Sequence, residues 1–99
     1  MKNAYVYIMT NKYRTTFYIG VTNNLARRVA QHKQGTGSVF TQKYELKDLV
    51  YYELIRGMQQ AINREKQLKR WHKEWKINLI KSVNPEMKDV SETGLEWLL

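Results

Sequence analysis

Two runs of aromatic and β-branched residues, AYVYIM at 4–9 and TFYIGV at 16–21, flank the polar stretch Thr10 to Thr15, a pattern that predicts a β-hairpin. A period of two puts Tyr5, Tyr7 and Met9 on one face of the first strand and Val6 and Ile8 on the other. In the second strand it separates Tyr18 and Gly20 from Phe17, Ile19 and Val21, so both faces of the hairpin are expected to be covered. Thr22, Asn23 and Asn24 offer N-caps for a helix through LARRVAQHK, which Gly35 and Gly37 end in a flexible polar loop able to order on a ligand. DLVYYEL at 48–54 reads as a third strand, and a stretch of helical composition runs from Met58 to about Ile80, as one helix or two. Pro85 ends it, leaving KDVSETGLEWLL as a weakly periodic tail, docked or frayed. The order β-β-α-β-α-α describes one small domain of α/β or α+β type with a mostly antiparallel sheet.

Three polar residues fall where this pattern asks for apolar ones. Arg28 and His32 share the stripe of Leu25 and Val29, whereas Arg27 points away from it. Arg28 is either a snorkelling side chain or a functional cation, and His32 either a satisfied boundary histidine or a site residue. In the second helical region Ala61, Leu68 and His72 form a stripe with Glu65 in its middle. A buried carboxylate without a partner costs several kcal/mol, so Glu65 implies a cation partner: a structural Arg, a pocket or a metal. One carboxylate, one Arg, one His and two hairpin tyrosines would suffice for metal-assisted phosphodiester hydrolysis if they converge.

Composition narrows the chemistry. The 99 residues carry 17 Lys and Arg against 9 Asp and Glu, a net charge of +8, which favours an anionic partner and nucleic acid first. The excess sits in 64–81, while Glu86, Asp89, Glu92 and Glu96 make the tail acidic. With no Cys and two His, thiolate and all-His sites are excluded, and a metal would be a hard cation on oxygen, Mg²⁺ or Mn²⁺. No apolar run is long enough to span a bilayer and the opening MKNAYVY lacks a secretory h-region, so a soluble, cytoplasmic protein without a membrane partner is expected.

Tyr5-Val6-Tyr7, then Tyr18-Ile19-Gly20, then NNLARRVAQH, then AINREKQLKRW appear in that order. Together they resemble the GIY-YIG nuclease superfamily, in particular small stand-alone bacterial members related to the excision-repair nuclease and to intron-encoded homing endonucleases. The likeness runs from Ala4 to Pro85, giving a domain at 1–85 and an acidic tail at 86–99. It implies a three-stranded antiparallel sheet flanked by helices and divalent-metal-dependent DNA cleavage, in repair or recombination. By motif position it implies Tyr7, Tyr18, Arg28, His32 and Glu65 as catalytic, with Glu65 holding Mg²⁺ or Mn²⁺ and Tyr7 preferred as the base or water-aligning group. Gly20 is the motif glycine. Tyr5 stands where the name-giving glycine would be, and the family asparagine falls at Asn84 or Asn78, with Asn84 taken here.

Arg27, Arg64, Lys69, Arg70 and Lys73 are the candidate phosphate contacts. The partner is DNA, branched or otherwise structured, with a protein partner as a source of specificity. Two other readings compete: a nucleic-acid-binding module without turnover, resting on the same basic helical segment, and a protein-interaction module built on Trp71, Trp75 and Trp97.

Overall fold

Three strands, β1 (Asn3–Thr10), β2 (Phe17–Thr22) and β3 (Asp48–Arg56), pair in the order β2-β1-β3, antiparallel throughout. This computed structural model describes residues 3–91; the segment 92–99, with Glu92, Glu96 and Trp97, lies outside the described residues. β1 is central and buried at every position from Ala4 to Thr10, which is why its sequence is apolar on both faces. Ala4, Val6 and Ile8 face a cluster with Ile19, Val50, Ala61, Leu68 and Ile80. Tyr5, Tyr7 and Met9 face the other, with Leu25, Val29, Leu46 and Leu49. Each buried Leu, Ile or Val stabilises by about 1.5–3 kcal/mol, and one central strand serves both layers. The β1–β3 register shifts between Ile8 and Met9, an irregularity that lets the neighbours Val50 and Tyr51 join the same cluster.

α1 (Leu25–Lys33) covers the second face. Asn24 caps it by accepting from the Arg27 N–H at 3.1 Å, and Gly35 at φ +77° turns the chain away. The segment that followed as a polar loop in the sequence reading instead forms a short helix, α2 (Val39–Lys43), capped by reciprocal hydrogen bonds between Ser38 and Thr41. Five residues are too few to show a period.

The long helical stretch is two helices, α3 (Met58–Arg70) and α4 (Lys73–Val83), on the first face. The chain extends at Trp71, which packs on that core, and no Gly or Pro marks the turn. His72 therefore leaves the stripe of Ala61 and Leu68 and is exposed as the N-cap of α4. Past Pro85 the chain returns to the start of β3: Asp89 pairs with Lys33 at 2.7 Å and accepts from the Leu49 N–H, while the Val90 N–H donates to the Leu49 carbonyl at 2.8 Å. No helix among the described residues is long and apolar enough to cross a membrane.

Candidate active site

Tyr7 is the centre of the arrangement. It sits opposite Gly20 in the β1–β2 register, and its ring crosses the glycine so closely that a Cβ there would fall 2.4 Å from Cζ and Oη. The glycine is needed for contact rather than for its backbone angles. The hydroxyl meets His32 Nε2 at 3.0 Å, and the other ring nitrogen of His32 meets Thr41 Oγ1 at 3.0 Å. A Cβ at Gly37 would fall 2.1 Å from His32 Nδ1, so that second glycine admits the chain against the imidazole. Arg28, one turn before His32 on α1 and half-buried, stands beside the Tyr7 hydroxyl. Tyr18 completes the hydrogen-bonded and aromatic group, with ring centroids 6.3 Å from Tyr7 and 5.8 Å from His32 and with Phe40 of α2 stacked beyond it.

The electrostatics follow from this packing. Burial first, then Tyr18 and Glu65, hold the Tyr7 hydroxyl well above the ordinary tyrosine range, against the opposing pull of Arg28. Burial and the Arg28 charge push His32 below its usual value, which favours a neutral imidazole at pH 7. Tyr7 has no exposed surface and Tyr18 is half-buried. The Tyr7 hydroxyl, preferred from motif position as the group that meets water, is closed in by His32 and Tyr18, and Tyr18 is the tyrosine within reach of solvent.

Glu65, on α3, is close enough for its charge to act on Tyr7. Its side chain is 16% exposed, and its one ion pair among the described residues is with Lys69 at 3.6 Å, beyond good hydrogen-bond length. The structural Arg pair considered for it exists one residue away, where Arg64 grips Glu53 with Nε and Nη2, at 3.0 and 2.8 Å, and lies 5.4 Å from the Trp71 ring. Glu65 supplies hard oxygen donors and little else: among the described residues no three His, Asp or Glu side chains converge. That donor set fits Mg²⁺ or Mn²⁺, hard cations that take one or two carboxylates and complete their shell with water and substrate phosphate.

The remaining residues divide. Asn84 is drawn into the fold, donating to the carbonyls of Val50 and Lys88 and accepting from the Lys88 N–H; none of these bonds reaches the hairpin tyrosines. Arg64 is committed to Glu53, and Lys73 to the Thr15 carbonyl and the face of Phe17. Arg27, Lys69 and Arg70 remain exposed, Arg70 in a surface groove with Asn63, Lys66 and Trp71. Sequence reasoning passed over Thr41 and Ser38 and read Gly37 only as a helix stop. The one available signal was a Ser followed three residues later by Thr, a helix-capping spacing.

The profile of the GIY-YIG catalytic domain matches residues 3–78. A UPF0213 protein of Clostridium perfringens is 36% identical over 92 residues, covering 93% of this chain and 92% of its own. One from Staphylococcus haemolyticus is 32% identical over 80 residues, covering 81% and 96%. The solution structure of a UPF0213 protein of Bacillus halodurans aligns over 93% of this chain and 97% of its own with a TM-score of 0.56 at 24% identity, a likeness of fold.

Proposed function

The chain belongs to the GIY-YIG family, which implies nuclease-type activity and nucleic-acid binding, and on that premise we propose a divalent-metal-dependent DNA endonuclease acting in the cytoplasm, in repair or recombination. The observation that carries the reading is the meeting of Tyr7, Tyr18, Arg28 and His32 with a largely buried carboxylate, Glu65, that has no strong partner among the described residues. Glu65 would hold Mg²⁺ or Mn²⁺, which when bound supplies electrostatic stabilisation of the phosphate and the leaving oxygen. The Arg28 guanidinium neutralises charge developing on the phosphoryl oxygens. Tyr18 orients the attacking water and, once its own O–H proton has passed to solvent, takes the water's proton, and the buried Tyr7–His32 pair braces Tyr18 and Arg28 from behind. Lys69, Arg70 and Arg27 are exposed where they can meet the flanking backbone.

The test is a nicking assay on supercoiled, branched and flapped DNA with Mg²⁺, Mn²⁺ or EDTA, beside Glu65→Ala and Arg28→Ala proteins of verified fold. Metal-dependent products lost in both variants are expected; cleavage surviving in pure Glu65→Ala would refute the site. The exposed basic face of α3 favours a second reading, binding without turnover, in which no product forms and affinity falls steeply with salt.

A further inference from the structure

The hydrogen bonds behind the site form one chain from Tyr7, which lies beside Arg28, to the backbone of Ser38, and the chemistry of its Arg28 end sets its direction. Arg28 only donates, so the Tyr7 oxygen beside it must accept and the Tyr7 O–H must go elsewhere. The acceptor in place is His32 Nε2, 3.0 Å away. At the other end the Thr41 hydroxyl donates at 3.0 Å to the Ser38 carbonyl, which also accepts from the Gln42 N–H; with its proton used there, Thr41 Oγ1 is able to accept from His32 Nδ1 at 3.0 Å. The Arg28 end selects, and the Ser38 end accommodates, the tautomer with the proton on Nδ1 and a lone pair on Nε2. Thr41 and His32 are 3% exposed and Tyr7 not at all, so water cannot substitute for a missing partner. The Ser38 N–H also donates to Thr41 Oγ1 and the Thr41 N–H to Ser38 Oγ, at 3.0 and 3.1 Å, holding the hydroxyl in place.

We infer that Thr41 is a positioning residue of this site: by accepting from Nδ1–H it holds His32 in the tautomer that takes the Tyr7 proton, so that the Tyr7 oxygen presents its lone pair to Arg28. The opposite tautomer would aim an N–H at Tyr7 and turn the Tyr7 O–H toward the guanidinium, placing the positive end of a dipole against a cation. α2 is in this account the element that aims Arg28, although it holds none of the residues that touch the phosphate. The catalytic consequence rests on the nuclease reading; the tautomer does not.

The deciding measurement is long-range ¹H–¹⁵N correlation NMR of the imidazoles at neutral pH, with His72, the other histidine and an exposed one, as internal reference. His32 is expected to show a protonated Nδ1 and an unprotonated Nε2. Thr41→Val should move the proton to Nε2 or mix the two forms, and Thr41→Ser should restore the original pattern. In the cleavage assay Thr41→Val is expected to lower kcat on the order of ten- to a hundredfold with little change in KM, again rescued by serine. A wild-type His32 protonated on Nε2, or Thr41→Val with unaltered imidazole nitrogens, would overturn the inference, and the wild-type spectrum decides even if Thr41→Val does not fold. Absence of cleavage alongside the expected tautomer would count against the nuclease and not against the chain of bonds.

Discussion

Arg64 and Glu65 are neighbours on α3 and end in opposite circumstances. Arg64 is closed into a network in which Glu53 accepts from its Nε and Nη2 and from the Tyr51 hydroxyl, with the Trp71 ring beside its guanidinium. Glu65 is as well buried as Glu53, with side-chain exposures of 16% and 20%, yet among the described residues pairs only with Lys69, at 3.6 Å. Burial alone therefore does not separate structure from function in this molecule; satisfaction of the buried group does. A charge that the fold has paired closely contributes to stability, and one it leaves weakly paired is kept at a cost that a ligand can offset.

The largest expected effect tests the open half. Glu65→Gln should lower metal-dependent cleavage roughly a thousandfold, the several kcal/mol that a bound cation supplies to the transition state, while leaving the urea midpoint unchanged or higher. A lower midpoint would show that Glu65 is paired after all. Next comes the closed half: Glu53→Gln strands the Arg64 guanidinium and should cost about 2 kcal/mol of stability, with kcat intact below the unfolding temperature. Should cleavage fall in step with Glu65→Gln, the division between the two residues fails. Gly20→Ala sits at the join, since its methyl must displace a Tyr7 ring that has no free space. A loss of about 1–3 kcal/mol, accompanied by weaker cleavage, is expected from denaturation and activity measured together.

The smallest effect is in acid. Burial works against ionisation of Glu53 and of Asp89, but hydrogen bonds from Arg64 and Tyr51 to the first, and from Lys33, Ser91 and Leu49 to the second, outweigh it and hold both carboxyls below their ordinary range. A depressed folded-state value means stabilisation that is fully present above the unfolded value of about 4 and is lost as pH falls through the folded one. Thermal unfolding followed downward from pH 5 should show this slope in the wild type and a shallower one in Asp89→Asn, a difference of about 1 kcal/mol. Equal slopes would place the acid sensitivity elsewhere.

How much of this was readable beforehand depended on the range of the interaction. β1 and β2 were legible with their faces correctly assigned, because alternation is a local property that the two core clusters simply use. Arg28, His32 and Glu65 stood out as polar residues on apolar stripes. The circumstances of Arg64 were not legible, since its partner Glu53 is 11 residues away in another element. α2 escaped for a related reason: VFTQK has no period of its own, and its role depends on Thr41 meeting His32 across a turn. The break at Trp71 moved His72 off its expected stripe without any residue that signals a break. Tyr7 and Tyr18 were both identified, but which of them reaches solvent is decided by the lid of His32 and Tyr18 over the first.

The returning segment at Asp89 and Val90 has a consequence for self-association. β3 is an outer strand, and such an edge can recruit a strand from another copy through its unpaired backbone groups. At Leu49 the outward N–H and carbonyl are already taken, by the Asp89 carboxylate and the Val90 N–H. The strap that fastens the tail thus also blunts the template for edge-to-edge aggregation, and does so with a charged residue at the point where an incoming strand would begin to pair.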